Sequence, residues 1–244
     1  HVFVIGSEPL ENGIRISAAH IDSPRLDLKQ VPVFEDNGFA YFKTHYYGGI
    51  RKYQWVATPL ALHGVVITKD GKTIKVCVGE DETDPVFYIS DLLPHLGYDQ
   101  AKLPLGDAIR GEQLNVLLGN MPEDEDNSVK NAVLTLIADK YGITEEDFFS
   151  SELCVVPAAK ARDIGFDRSM IGSYGHDDRV CAYPSLTALI ESPDCKHTVM
   201  CILADKEEIG SVGATGMRSR FFENALAEVM ELCGQYSELA MRRS

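Results

Sequence analysis

Histidine and acidic side chains that could bind a metal ion occur in three short segments of the chain. His20 and Asp22 end one apolar run, Asp177 belongs to a second segment, and the adjacent Glu207 and Glu208 follow another apolar run. A catalytic zinc ion is bound by imidazole and carboxylate groups and keeps one position open for water. Sites of open α/β sheets lie at the carboxyl ends of strands, which is where we expect these residues.

The residue types suggest a division of roles. His20 is a possible ligand, and Asp22 could hold its ring through the other ring nitrogen. Asp177 could bridge two metal ions about 3.5–4 Å apart. Adjacent side chains of an extended chain point in different directions. One of Glu207 and Glu208 can therefore bind metal while the other remains free as a general base.

Each of these patterns alone also has an ordinary structural explanation. A lone His-x-Asp pair is common in cores and on surfaces, and the acids Asp177 and Asp178 could cap a helix. A Glu-Glu pair is usually a solvated helix face, but here it follows a predicted strand. The combination of the three segments, more than any one of them, favours a metal site.

Other motifs are absent from the sequence or have the wrong spacing. No His-Glu-x-x-His occurs, residues 210–216 lack the spacing of a dinucleotide fingerprint, and residues 172–175 are not a nucleophile elbow. The glycine-rich segment 210–216 is predicted to be a tight turn that leads into a helix. The remaining histidines of interest are predicted to be structural or surface residues: His45, His63, His95 and His197.

Composition excludes several classes of function. The chain has 244 residues and a net charge of −14, from 37 acidic and 23 basic residues. This balance disfavours a nucleic-acid partner and an anionic membrane surface. The six cysteines are scattered and form no Cys-x-x-Cys pair, which is typical of a protein in a reducing compartment. No apolar run approaches the roughly 18 residues that span a bilayer.

Turn and periodicity signals predict the elements that would position these residues. Asn37-Gly38 and Asp70-Gly71 predict two hairpins in a mostly β segment from about residue 30 to 120, which also includes a strand over 111–119. Ser128 can cap a helix that ends at Gly142. Further along, we expect strands over 152–157 and 197–204 and helices over 178–191 and 221–234.

The alternation of strands and helices after residue 128 predicts an α/β layer with parallel strand pairs. We therefore predict a discontinuous catalytic α/β domain from residues 1–28 plus 128–244. A β-rich domain, residues 29–127, would be inserted into it; its last residues form an acidic loop. The chain starts within a strand-like run without a methionine and stops near a helical pattern. We expect it to be a fragment that lacks both ends of a longer protein.

Four segments together resemble one enzyme family in order and along essentially the whole chain. They are Ala19–Leu26, Tyr47–Ile50, Gly106–Gln113 and Asp205–Ser211. They are similar to the aspartyl aminopeptidase/aminopeptidase I family of dinuclear zinc metallopeptidases. The resemblance implies a metallopeptidase-type α/β sheet domain with an inserted β-rich dimerisation domain. It also implies a cytoplasmic homo-oligomer, in which dimers build a tetrahedral dodecamer that removes N-terminal residues from peptides.

The resemblance assigns a role to each candidate residue. It makes His20, Asp177 and Glu208 metal ligands, with Asp177 as the bridge, and it makes Glu207 the general base and Asp22 the orienting partner of His20. It implies two zinc ions in each site, with cobalt or manganese as possible replacements. A further aspartate and histidine ligand are expected beyond the end of the chain, so the fragment alone should be incomplete and inactive. Asp178 stands where relatives commonly have asparagine and is expected to support the ligands.

One departure and two alternatives accompany this prediction. Members that prefer acidic N-terminal residues carry a Trp-Phe-Asp-Arg-Asp-Leu run, whereas this chain has a different sequence over Lys52–Leu60. The preference for N-terminal Asp or Glu is therefore open. A non-catalytic oligomerisation fragment, or another amidohydrolase such as a carboxypeptidase or deacylase on the same scaffold, are the alternative functions.

Overall fold

A computed structural model describes residues 1–122, 128–192 and 194–243, with the side chain of residue 243 left out. The acidic loop predicted before Ser128 lies largely outside these ranges. The strands are β1 (Val2–Val4), β2 (Arg15–His20), β3 (Arg25–Asp36), β4 (Phe39–Tyr47), β5 (Leu60–Ile67), β6 (Thr73–Val78), β7 (Val116–Gly119), β8 (Ser151–Pro157), β9 (Arg162–Ile164), β10 (Met170–Gly172) and β11 (Val199–Ala204). The helices are α1 (Leu105–Ala108), α2 (Val129–Tyr141), α3 (His176–Ile190), α4 (Phe221–Leu232) and α5 (Glu238–Arg243).

The chain divides into two units, each with its own sheet. The first, which we call the split unit, joins residues 1–24 to residues 175–244. The second, the continuous unit, comprises residues 25–174. The mixture of helices and sheets confirms the predicted α/β fold class.

The split unit contains a three-stranded sheet in the order β1–β11–β2. β1 is antiparallel to β11, and β2 is parallel to it, with Arg15 opposite Val199 and His20 opposite Ala204. Helix α3 packs against β2 and β11. The predicted parallel pair is therefore confirmed, and it brings the carboxyl ends of β2 and β11 to the same edge of the sheet.

The continuous unit is built on a six-stranded sheet in the order β6–β5–β8–β3–β4–β7. Both predicted hairpins form. In the first, Asn37 and Gly38 take positive φ angles of 49° and 76° between β3 and β4, a conformation that Asn-Gly adopts readily. In the second, a turn around Gly71 joins β5 to β6. Helix α2 packs on β3, β4 and β7, and a large apolar cluster fills the unit.

Two predictions about this region need correction. The strand predicted over 152–157 forms as β8, but it pairs antiparallel with β5 and β3 rather than in a parallel layer. Its alternate side chains Leu153 and Val155 are buried in the continuous unit's apolar cluster, which accounts for its place there. The continuous unit, which extends to residue 174, therefore includes β8. The strand predicted from residue 111 begins only at Val116, after a 3₁₀ turn over Gly111–Gln113.

The predicted helix ends agree with local chemistry. The Ser128 hydroxyl accepts a hydrogen bond from the amide of Asn131 at 3.2 Å, and Gly142 ends α2 with a φ of 68°. In α3, Asp177 and Asp178 depart from helical backbone angles, so regular helix starts after them. Within the described residues, no helix has the length and apolar character needed to cross a membrane.

Candidate metal centre

Residues that follow two parallel strands form the candidate centre in the split unit. His20 is the last residue of β2, and Glu207 and Glu208 lie just beyond the end of β11. The amide of Ile21 continues the pairing by donating to the carbonyl of Ala204 at 2.9 Å. The parallel register therefore brings the histidine and the two glutamates together, although they are far apart in the chain.

The His20 ring is held from one side by its own segment. Its Nδ1 lies 3.0 Å from the backbone carbonyl oxygen of Asp22. Because a carbonyl oxygen only accepts, Nδ1 carries the proton of this hydrogen bond. In the neutral imidazole, the lone pair is then on Nε2, the nitrogen that faces the acidic residues. Nε2 lies 3.1 Å from Oδ1 of Asp177 and 3.7 Å from Oε2 of Glu207.

The Asp22 carboxylate is buried and supports a different part of the centre. Its two oxygens accept hydrogen bonds from the backbone amides of Glu207 and Glu208, each at 3.2 Å. The same carboxylate is 3.5 Å from Nδ1 of His20, which is farther than the carbonyl. Sequence reasoning linked Asp22 to the ring. In the structure the closer contact is the backbone carbonyl, and the carboxylate fixes the turn that carries both glutamates.

The carboxylates of the adjacent Asp177 and Asp178 contact different parts of His20. The peptide bond between Asp177 and Asp178 is cis. The carbonyl of Asp177 accepts the Ser23 hydroxyl at 3.2 Å, while Oδ2 of Asp178 accepts the His20 amide at 3.3 Å. Asp177 thus presents its carboxylate to the ring of His20, and Asp178 contacts the backbone of β2.

One possible metal-binding group emerges from these contacts. Ligand atoms of His20, Asp177 and Glu208 all lie within 4.8 Å of one another. Across the described ranges, no other group of three histidine, cysteine or acidic residues meets that distance. One imidazole nitrogen with two carboxylate oxygens fits the ligand set of a catalytic zinc site. Glu207 is close to the ring but outside this group, and its side chain is about half exposed.

The electrostatics of the cluster are those of crowded acids around one imidazole. Burial lowers the pKa of His20, but the Asp22 carbonyl and the nearby carboxylates outweigh it, so that the pKa is raised above its usual value. Burial raises the pKa of Glu208, and the neighbouring acids Asp177, Asp22 and Glu207 raise it further against the effect of His20. A bound cation would stabilise the ionised acids. It would also compete with the second proton that the His20 ring takes up at Nε2 when it becomes charged.

A cavity of about 560 Å³ opens beside the group. His20, Asp177 and Glu207 line it, together with Ser211 and Met217. Sequence analysis did not identify Ser211 and Met217 as site residues. The only signal in the sequence was their position just after the glutamate pair, in and beyond the predicted turn. The cavity is open to solvent next to Glu207.

The histidines that the sequence analysis predicts to be structural or surface residues lie outside this group. His63 lies on β5 of the continuous unit, where its Nε2 is 2.8 Å from Oε1 of Glu80. Nδ1 of His197, in the split unit, is 3.9 Å from an oxygen of Glu8. His45 is on β4. None of these residues belongs to the group around His20.

Comparison with known proteins identifies the family of the chain. The family model described as aminopeptidase I zinc metalloprotease (M18) matches residues 2–243. A probable M18 family aminopeptidase 1 of Clostridium acetobutylicum is 55% identical over 246 residues, covering 100% of this chain and 53% of that protein. A protein of the same name from Thermotoga maritima is 48% identical over 229 residues, covering 93% of this chain and 50% of that protein.

Comparison with solved structures identifies the same family. The crystal structure of an M18 family aminopeptidase from Thermotoga maritima superposes with a TM-score of 0.92 at 44% identity, covering 99% of this chain and 56% of that one. Aminopeptidase I from Clostridium acetobutylicum gives a TM-score of 0.89 at 51% identity, covering 97% and 52%. The chain thus spans about half the length of the relatives that it matches. The match over nearly every residue shows that the chain belongs to the aminopeptidase I family of zinc metalloproteases.

Proposed function

We propose that the chain provides part of the active site of a zinc-dependent aminopeptidase, which removes N-terminal residues from peptides. The observation that carries the proposal is the gathering of His20, Asp177 and Glu208 within 4.8 Å at the carboxyl ends of two parallel strands. The family membership supports the reaction class. In this proposal, the three residues would hold a metal ion, and Asp177 would also be a ligand of a second ion.

In this proposal, Asp22 and Asp178 orient the residues that hold the metal. The Asp22 carbonyl keeps the proton on Nδ1 of His20, which directs the lone pair of Nε2 towards the metal position. The Asp22 carboxylate fixes the amides of Glu207 and Glu208 and so separates the two glutamates into different roles. The Asp178 carboxylate secures the backbone at His20.

Zinc, when bound, supplies positive charge that polarises a peptide carbonyl and makes a water molecule easier to deprotonate. Glu207 is the general base in this proposal. Its half-exposed carboxylate lines the cavity and is not one of the three clustered ligands. It accepts a proton from water at a carboxylate oxygen, holds it, and passes it to the departing amine.

The proposal also includes two zinc ions in each site, with cobalt or manganese as substitutes, and a cytoplasmic homo-oligomer. The chain provides one histidine and two acids to the clustered group. We propose that an aspartate and a histidine from outside these residues complete the site, so that the chain alone is inactive.

The decisive test is the Glu207→Gln variant in the complete polypeptide that contains this chain. We expect turnover of unblocked aminoacyl substrates to fall by roughly 10²–10⁴-fold because the proton acceptor is lost. Metal content should stay close to that of the wild type. Unchanged turnover would remove Glu207 from the role of base.

Two controls separate the proposal from its alternatives. His20→Ala should lower metal content, whereas His45→Ala, a histidine of the other unit, should not. Blocking the N-terminus of the peptide should stop hydrolysis by an aminopeptidase but not by a carboxypeptidase or a deacylase. Failure to hydrolyse any substrate with zinc, cobalt or manganese would favour the non-catalytic alternative.

A further inference from the structure

A second set of metal-binding side chains lies on the six-stranded sheet of the continuous unit. His63 of β5 is directly opposite Cys77 of β6 and directly opposite Cys154 of β8. Side chains of directly opposite residues project from the same face, with Cβ atoms about 4.5–5.5 Å apart. The sheet therefore places a cysteine on each side of one histidine.

A carboxylate lies beside His63 on only one side, that of Cys77 and β6. Oε1 of Glu80 is 2.8 Å from Nε2 of His63, and Glu80 lies two residues beyond the end of β6. The segment that supplies Cys77 therefore also supplies the partner of His63. Cys77 is exposed, and the side chains of His63 and Glu80 are 33% and 41% exposed, so an ion from solvent can reach all three.

The cysteine on the other side has a different environment. Cys154 is partly buried beside Arg25 and Asp27, and burial raises the pKa of its thiol. The protonated thiol is a poor ligand, because metal ions bind the thiolate. The two cysteines that flank His63 are therefore not equivalent, and the exposed one on the edge strand is better suited to bind a metal.

We propose that His63, Cys77 and Glu80 bind one divalent cation of the zinc class at the edge of this sheet, with water as the fourth ligand. Sulfur, imidazole nitrogen and carboxylate oxygen are all established zinc ligands, and a tetrahedral ion accepts them together. His63 and Glu80 are already in contact, but the three ligand atoms do not form a group within 4.8 Å. In this proposal, side-chain rotation brings the Cys77 thiol to the His63–Glu80 pair, and the thiol releases its proton to solvent on binding.

This site is independent of the proposed aminopeptidase centre. All three ligands belong to the continuous unit, and none contributes to the group around His20. The ion would connect the edge strand β6, through Cys77 and the adjoining Glu80, to β5. The ion is expected to stabilise the pairing of β6 with β5 at the sheet edge rather than to take part in hydrolysis.

Cobalt(II) titration of the chelator-treated chain, in a reductant that contains no thiol, tests the proposal. A thiolate bound to cobalt(II) gives a near-ultraviolet charge-transfer absorption, which nitrogen and oxygen ligands do not give. We expect this absorption to saturate with the intensity of one thiolate–cobalt bond per chain, in addition to any cobalt that the group around His20 binds. His20→Ala should retain it, so failure of the aminopeptidase proposal would not affect the result.

Matched cysteine variants identify the ligand. C77S should abolish the charge-transfer absorption, whereas C154S, which changes the cysteine on the other side of His63, should retain it. C181S should retain it too, because Cys181 lies in the split unit near Asp178. His63→Ala should weaken cobalt binding by more than the roughly 10–100-fold that loss of an outer partner costs.

Several outcomes would overturn the proposal. They are the absence of thiolate charge transfer in the wild type, its persistence in C77S, or its loss in C154S or C181S. C77S should keep the far-ultraviolet circular dichroism of the wild type, because the replaced side chain is exposed. Should C77S misfold, cobalt titration of E80Q provides a second test, and unchanged affinity there would exclude Glu80 as a ligand.

Discussion

The two units of the chain differ most in what lies at their centres. In the continuous unit, a large cluster of buried apolar side chains includes Phe42, Trp55 and Leu60 from several strands and loops. In the split unit, the apolar cluster is small and is centred on Leu10 and Met230. The split unit instead concentrates acidic side chains around one histidine.

This difference separates the two sources of stability. Burial of apolar surface contributes roughly 25 cal/mol for each Å² removed from water and requires no ligand. Acids that crowd around an imidazole repel one another, and the raised pKa of Glu208, due to burial and neighbouring acids, reflects this. We therefore expect the continuous unit to be stable by itself and the split unit to gain stability from metal binding.

The largest effect should come from the core of the continuous unit. Phe42 is 2% exposed and contacts the edge of the Phe148 ring. Phe42→Ala should lower the free energy of unfolding by about 3–5 kcal/mol, because it leaves a cavity. Urea unfolding followed by the fluorescence of Trp55, the single tryptophan, reports on this unit. The control is Phe149→Ala, since Phe149 is exposed; equal losses in both variants would contradict the expected role of the core.

Metal addition should act on the other unit. A ligand at 100 times its dissociation constant stabilises the form that binds it by about 2.7 kcal/mol. In the C77S protein, zinc should therefore slow hydrogen exchange of the β2 and β11 amides and leave those of β8 unchanged. His20→Ala should remove this protection. Equal protection of both units by zinc in C77S would contradict the proposed location of the centre.

The Asp22 carboxylate should have an intermediate effect. In Asp22→Asn, one of the two backbone amides loses its acceptor, which costs about 1–3 kcal/mol for a buried donor. Hydrogen exchange of β2 and β11 in the metal-free protein measures this loss, and zinc affinity should fall by roughly 10–100-fold. Glu11→Gln provides a control on an exposed acid of the same unit. Unchanged zinc affinity in Asp22→Asn would exclude the orienting role.

The smallest effect concerns Asp147, an acid of the continuous unit that belongs to neither of the proposed metal sites. The amide and hydroxyl of Thr144 donate to Asp147 at 2.8 and 2.9 Å, and these hydrogen bonds, the amide's first, lower the pKa of Asp147 below 3.8. The ionised carboxylate therefore stabilises the fold above about pH 3.8, and this contribution is lost as the pH falls through the lowered value.

Asp147→Asn should consequently cost roughly 0.3–1.5 kcal/mol at pH 7, the usual range for a capping interaction. The difference in the free energy of unfolding between wild type and variant should shrink as the pH falls below the pKa of Asp147 in the unfolded state. Acid unfolding followed by Trp55 fluorescence measures it. A difference that grows as the pH falls would show that the sign of this prediction is wrong.

Local features of the fold could be predicted because their causes lie within a few residues. The turn at Asn37-Gly38 and the cap at Ser128 depend on backbone preferences and short hydrogen bonds that the residue types specify. The position of β8 could not be predicted in this way. Its apolar pattern fits either a parallel layer or an antiparallel sheet, and only its neighbours β3 and β5 decide between them.

The candidate centre shows the same division. The sequence by itself determined which side chains are available: one imidazole, a group of acids, and two adjacent glutamates at the end of a predicted strand. It also determined family membership through segments that keep their order along the chain. These conclusions need only residue types and spacing.

The tertiary structure decided which atoms meet. The Asp22 carboxylate contacts the amide of Glu208, 186 residues away, and the carbonyl of the same aspartate holds the ring of His20. The contact with Glu208 depends on the parallel register of β2 and β11, which no local signal specifies, whereas the contact with the ring joins residues only two positions apart. The physical reason is that strand pairing is selected by the surfaces that two distant segments bury together, whereas turns and caps are selected by the chain next to them.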